Sequence, residues 1–185
     1  MNTLHLALAI LALLVTPGPT NSLLALAGAR RGVLMSLPLI PVEMVAYLVV
    51  VTPLLIWGAP LVAALPVLKP VLAGLASLWV ARLAVTLWRM PEGTGPSIAP
   101  VTARSVAVTT LLNPKALVMG LVLMPVLQAP VTALLVFVLV LPPVSLLWIT
   151  LGAGLLARAG RWLNRGSALW LAALSLLLAA RAMAG

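Results

Sequence analysis

Two prolines flank a glycine, Pro17-Gly18-Pro19, inside an apolar run that extends from about Leu4 to Leu26. A run of that length matches the ~20 residues a helix needs to cross the hydrocarbon of a bilayer. The element cannot continue a regular helix. Each proline lacks a backbone donor and crowds the carbonyl four residues earlier, and Gly18 adds backbone freedom. Unsatisfied backbone in hydrocarbon costs several kcal/mol per group, so a break at that depth must be buried in protein or line a wet cavity. Thr16, Thr20, Asn21 and Ser22 are placed to supply replacement hydrogen bonds. A second break, Asn113-Pro114-Lys115, interrupts a later apolar run at a similar depth. Paired interruptions in two halves of a chain point to a transport site at the interface between repeats.

The chain is 64% hydrophobic and 7% charged, against roughly 45–50% and about 25% in soluble domains. That balance predicts an all-α integral membrane protein, and 185 residues accommodate six spans with short loops as a single membrane domain. A net charge of +9 would suggest nucleic acid in a soluble protein. Here the basic residues cluster between apolar runs, as in cytoplasmic loops, so no nucleic-acid partner is expected. With no cysteine and the lone His5 near the amino terminus, neither a disulfide nor a metal site is expected, and no cofactor. Met1-Asn2-Thr3 lacks the basic start of a cleaved signal peptide, so the first span is read as retained.

Span one, from about Leu4 to Leu26, ends at Gly28-Ala29-Arg30-Arg31-Gly32. Gly28 and Gly32 are read as a flexible turn holding two arginines in preference to a helix-packing G-x-x-x-G face. Span two covers Val33 to Trp57, with Pro38 and Pro41 expected to kink it and Glu43 near mid-depth. Gly58, Pro60 and Pro66 suggest a compact turn, charged only at Lys69, before span three, Val67 to Trp88. The linker 89–104 contains Arg89-Met90-Pro91-Glu92-Gly93-Thr94-Gly95-Pro96 and separates halves 1–88 and 105–185. Span four is Ser105 to Gln128, and span five is Val131 to Leu156 with a third irregular point expected at Pro142, Pro143 and Ser145. Arg158, Arg161 and Arg165 precede span six, Ser167 to Met183. Alternate loops thus carry the arginines, which predicts six transmembrane helices as two three-helix halves, an inverted repeat, with both termini outside.

Taken together these elements resemble the LysE/RhtB-type amino-acid exporters. The likeness rests on Pro17-Gly18-Pro19, the basic glycine turn Gly28–Gly32, the stretch Leu78-Trp79-Val80-Ala81-Arg82 through Trp88-Arg89, and Leu111-Leu112-Asn113-Pro114-Lys115-Ala116. It covers the whole chain in size and order. It implies ion-driven export of amino acids or related small amphiphiles from the cytoplasm across a bacterial plasma membrane. Two stretches depart from the family pattern: Met35, Ser36, Pro38, Pro41 and Val42 stand where glycines are usual, and Val118-Met119-Gly120-Leu121 lacks aromatics. Both would line a central path and so bear on the substrate.

Glu43 is the only acidic residue within a span. An ionised group at the bilayer centre costs about 2.5–3.5 kcal/mol, so it must face the bundle interior or a wet cavity. A carboxyl that loads and releases a proton is what a proton-coupled exporter needs; the alternative is a fixed ion pair or hydrogen-bonded acid without a transport role. Lys115 follows the second break and is placed to attract a substrate carboxylate, pair with Glu43, or stabilise a cavity. Asn21, Asn113, Thr109 and Thr110 are candidates for satisfying broken backbone or touching substrate. The methionines and Trp148 are read as packing residues.

The expected path is therefore Pro17, Gly18, Pro19, Asn21, Glu43, Asn113, Pro114 and Lys115, serving a small-molecule substrate and protons within the lipid bilayer. A homo-oligomer is compatible with it. An enzyme would need a clustered nucleophile, base or metal set, which is missing here. The competing readings are a lipid flippase and a non-transporting small subunit. The topology is checked by single cysteines and an impermeant thiol reagent on intact cells. Asn2→Cys and Gly185→Cys are expected to label while Thr94→Cys and Gly160→Cys stay protected, and the opposite pattern would refute the arrangement.

Overall fold

The computed structural model describes residues 2–64, 67–89, 101–154 and 162–184. Every regular element among them is helical: α1 (Thr3–Val15), α2 (Pro19–Ser36), α3 (Leu39–Ala64), α4 (Leu68–Trp88), α5 (Ala103–Leu111), α6 (Pro114–Val118), a π turn (Met119–Leu123), a 3-10 turn (Met124–Leu127), α7 (Pro130–Gly154) and α8 (Trp162–Ala184). Pro66, the linker residues 90–100 with Glu92 and Thr94, and Arg158 and Arg161 lie outside the described residues.

Both breaks fall where backbone chemistry requires them. At the first, α1 and α2 meet at a bend of 63°. Pro19 opens α2 at a position where a missing N–H removes no helical bond. At the second, α5 stops at Leu111, Asn113 caps α6, and Pro114 opens it. The π and 3-10 turns that follow keep this stretch irregular as far as Leu127.

Other prolines disturb the chain less than expected. Pro38 stands in the turn before α3, and Pro41 lies in the first turn of α3, where no intrahelical donor is lost. Neither kinks a span, and Glu43 consequently sits one turn into α3 rather than at mid-helix. Gly58 and Pro60 belong to α3, which runs on to Ala64, so the expected turn does not begin there. Pro142 and Pro143 lie within a continuous α7 instead of making a third break. The last helix starts at Trp162, earlier than Ser167. The glycine pair also divides. Gly32 adopts φ +78°, a left-handed conformation that interrupts α2, whereas Gly28 is buried in the helix and packs.

Leu39–Gly58 and Pro130–Gly154 are each long and apolar enough to cross a membrane, and the bent α1–α2 pair makes a third if it is one span. Large apolar side chains face outward along these helices and their neighbours, among them Leu8, Leu78, Leu135, Leu139 and Leu176. A protein in water rarely leaves so much contiguous apolar surface uncovered. Inside, one core gathers Leu24, Leu26, Val80, Val106, Ile149 and Leu171, and a second gathers Leu6, Ile10, Tyr47, Val51, Met119 and Phe137. Trp148 packs against both.

Small residues set the closest helix contacts, which is how helices associate where lipid supplies no hydrophobic drive. A Cβ on Gly28 would overlap the Ile149 carbonyl, and one on Gly152 would overlap the Ala25 carbonyl, so α2 and α7 touch backbone to backbone in both directions. Between α4 and α8, Ser77 Oγ donates to Ser175 O and Ser175 Oγ donates to Ser77 O, each at 3.0 Å. Gly154, by contrast, has open space around its Cβ position. Gly152→Ala is expected to destabilise the detergent-solubilised protein by about 1–3 kcal/mol, the cost of overpacking. Gly154→Ala leaves the unfolding midpoint unchanged or slightly raised, because alanine favours helix. Equal midpoints for the two variants would show that the α2–α7 contact is not tight.

Candidate functional site

The end of α1 leaves carbonyls without helical donors, and side chains from both sides of the break take them up. The Asn21 amide donates to Leu14 O at 2.7 Å and to Thr16 O at 3.0 Å. Thr16 Oγ1 donates to Ala12 O, and Ser22 Oγ to Gly18 O. Asn21 is buried, so these are the replacement bonds that broken backbone in an apolar setting needs.

A further donor comes from the other break. The Lys115 ammonium donates to Thr16 O and lies 3.4 Å from Leu14 O. A cation at the carboxyl end of a helix also meets the negative end of its dipole. Gly18 makes room for this arm: a Cβ there would stand 3.1 Å from Lys115 Cε and 3.2 Å from Nζ. The site-facing amino end of α2 carries no side-chain cap.

Asn113 works in two directions. Its Oδ1 accepts the Lys115 backbone N–H at 3.1 Å and so caps α6. Its Nδ2 donates to Thr20 Oγ1 and to Tyr47 Oη, both at 3.0 Å. Thr20 Oγ1 lies 3.3 Å from Thr110 Oγ1, and the Trp79 indole N–H donates to Thr109 Oγ1 at 2.7 Å. All of Thr20, Tyr47, Thr109, Thr110 and Asn113 are buried, so this network joins α2, α3, α4 and α5 in the interior.

Glu43 is also buried, and Ser145 Oγ on α7 donates to its Oε2 at 2.5 Å. The same hydroxyl lies 3.0 Å from Leu141 O of its own helix. No ion pair joins Glu43 to Lys115 among the described residues, since Lys115 turns to the carbonyls of the first break. An indirect path joins them: Tyr47 stands one helical turn beyond Glu43 on α3 and bonds to Asn113, which caps the helix carrying Lys115. One turn past Ser145, the buried Trp148 indole N–H has no acceptor among the described residues.

The structure therefore gathers Pro17, Gly18, Pro19, Asn21, Asn113, Pro114 and Lys115 around the two breaks, with Glu43 on the neighbouring face. Thr109 and Thr110 join the network, as two of the polar candidates. Ser145, marked in the sequence only as part of a break, proves to be the partner of Glu43. Tyr47 carried a signal that could have been read: it is the chain's single tyrosine, four residues after the single intramembrane acid. No family model, curated protein or solved structure matches this chain.

Two donors share the carbonyls at the end of α1, so either can be lost at moderate cost. The double variant Asn21→Leu/Lys115→Met is expected to be destabilised by more than the sum of the two single variants. The excess is the cost of leaving buried carbonyls unsatisfied, about 1–3 kcal/mol. Denaturant unfolding of the four proteins in mixed micelles measures it, and strict additivity would mean that the two side chains serve separate roles.

Proposed function

We propose that this chain is a multi-pass secondary transporter of the bacterial plasma (inner) membrane, a LysE/RhtB-type exporter. It carries amino acids or related small amphiphilic metabolites out of the cytoplasm, coupled to protons. The reading includes six spans in two halves arranged as an inverted repeat, with both termini on the outer side. The reciprocal bonds of Ser77 on α4 with Ser175 on α8 support it, because these helices are the third spans of the two halves and a paired contact of this kind accompanies a local two-fold axis.

The observation that carries the proposal is the Lys115 ammonium on the carbonyls of the first break. That contact sets a cation, two carbonyl acceptors that have no helical donor and the uncapped start of α2 side by side at the meeting of two interrupted helices. A zwitterionic substrate matches all three. Its carboxylate draws Lys115 away and meets the N–H groups of α2. Its ammonium replaces Lys115 at Leu14 O and Thr16 O. In this scheme Lys115 holds the empty site closed to water and yields to substrate without any carbonyl being left bare.

Glu43 is the proton carrier in the same scheme. Ser145 holds its carboxyl in place, and with no cation paired to it among the described residues it is able to change charge. Glu43→Gln resembles the protonated acid in size and polarity, so it is expected to insert and unfold as the wild type does. In proteoliposomes loaded with a panel of labelled amino acids it loses efflux driven by an imposed pH gradient and keeps exchange. Wild-type gradient-driven rates in that variant would end the proton-carrier role. Lipid translocation without amino-acid efflux in the same vesicles would favour a flippase, and neither activity would favour a non-transporting subunit.

A further inference from the structure

Trp148 carries the one buried side-chain polar atom among the described residues that has no hydrogen-bond partner, its indole nitrogen. Buried polar groups in folded proteins nearly always have a partner, and an exception points to an ion, a ligand or an ordered water. The ring stands close to the acid. Trp148 lies on α7 one turn past Ser145, whose hydroxyl donates to Glu43 Oε2. A long side chain on a helix leans back over the turn before its own Cα, and for Trp148 that turn holds Ser145. On α3, Ile40 stands one turn before Glu43 and, like Trp148, packs against both cores. The acid and the indole therefore share the seam between the cores.

The acid has an unused side as well. Ser145 engages one carboxylate oxygen, and Glu43 Oε1 receives no hydrogen bond among the described residues. The single hydroxyl proton of Ser145 already has two claimants, Oε2 at 2.5 Å and Leu141 O at 3.0 Å, so none is left for Oε1. A buried donor and a buried acceptor thus lie on neighbouring turns without bonding to each other. A polar pair too far apart to bond directly is commonly bridged by a water.

We infer that Trp148 and Glu43 hold a buried water, which accepts from the indole N–H and donates to Oε1, and that protons reach and leave the acid through it. The water site follows from the two unpartnered groups; its role in proton passage rests on the reading of Glu43 as the proton carrier. Neither end of a zwitterionic substrate fits the same place. An ammonium finds no acceptor in an indole N–H, and a carboxylate meets the like charge of ionised Glu43. Water accepts on one side and donates on the other, and a buried water makes about three hydrogen bonds, leaving one for the neighbour that supplies the proton. Passage conserves it: a proton joins its oxygen from that neighbour as one of its own moves to Oε1, giving a carboxyl group and a water, and release runs the reverse way. Trp148 exchanges no proton. It is a positioning residue that turns a lone pair of the water to the indole and a hydrogen to the acid.

The full chain, isotope-labelled at its tryptophan indoles, is studied by NMR in micelles, where the Trp148 signal is the one lost in Trp148→Phe. That N–H is expected to show cross-relaxation with a long-lived water. The same signal is expected to shift in Glu43→Gln, whose amide matches the carboxyl in size. An indole without water contact, or a signal unmoved in Glu43→Gln, would overturn the site. If Trp148→Phe does not fold, the signal is assigned by elimination from phenylalanine variants of the other tryptophans. In proteoliposomes Trp148→Phe, which keeps an aromatic ring and loses the N–H, is expected to lower efflux driven by a pH gradient by a larger factor than exchange. Equal factors would overturn the proton route. The water contact is read without gradient or substrate, so it stands if Glu43 proves not to carry protons. Loss of gradient-driven efflux in Glu43→Gln likewise stands if the water is not found.

Discussion

A carbonyl group without a donor inside an apolar interior is the constraint on which this structure depends. The prolines of the first break free the carbonyls at the end of α1, and the chain answers with Asn21 from the same side and Lys115 from the far half. The second break answers in kind: Asn113 caps its own short helix and also bonds Thr20 beside the first. Each interruption thereby completes the other. A chain with only one of the breaks would lose the partners that the other supplies, and a buried group left bare costs about 1–3 kcal/mol, so the contacts between the breaks tie α1 and α2 to α5 and α6.

The bend that results sends α2 across α7, and there the economy of side chains becomes visible. Gly28 and Gly152 admit backbone to backbone, and Ser77 and Ser175 trade hydroxyl bonds with each other's carbonyls. These contacts use the smallest residues available. Large apolar side chains fill the two cores and also face outward, where Leu135, Leu139 and Leu176 meet what would be lipid. The buried polar groups are satisfied by partners inside, as an apolar surrounding requires.

Both breaks were legible in the sequence because proline and glycine act through backbone rules that hold in any surroundings. Asn21, Asn113 and Lys115 were legible for a related reason: polar residues beside broken backbone have somewhere obvious to bond. Proline at Pro38, Pro41, Pro142 and Pro143 was misleading. For Pro38 and Pro41 the effect depends on where α3 starts, which is fixed by Gly32 turning left-handed and by the turn at Pro38, whereas Pro142 and Pro143 lie inside α7, which continues through them. The partners of Glu43 and Lys115 were not legible at all. Opposite charges on two halves suggest a pair, yet Ser145 lies a hundred or so residues from Glu43 in the chain and only packing brings them to 2.5 Å. Tyr47 went unnoticed because a single phenol in an apolar run looks like core, and by burial it is core, edge-on to Phe137 at 5.6 Å.

The lack of an ion pair between Glu43 and Lys115 bears on how the proposed transport site would move. A buried ion pair is hard to leave: stripping one partner from the other costs about 3–5 kcal/mol, because a bare charge remains in a poor solvent. Had the two been paired, neither could take up the proposed substrate or proton in place of its partner without that penalty. With a hydroxyl holding the acid and carbonyls holding the ammonium, each charge sits on neutral partners that can be replaced one for one. Tyr47 and Asn113 lie between them as neutral groups, close enough to keep the two in a common interior of low dielectric where charges still sense each other. An acid and a base that influence each other without binding each other are suited to changing state in sequence. The same side chains joined as an ion pair would be suited only to holding the bundle shut.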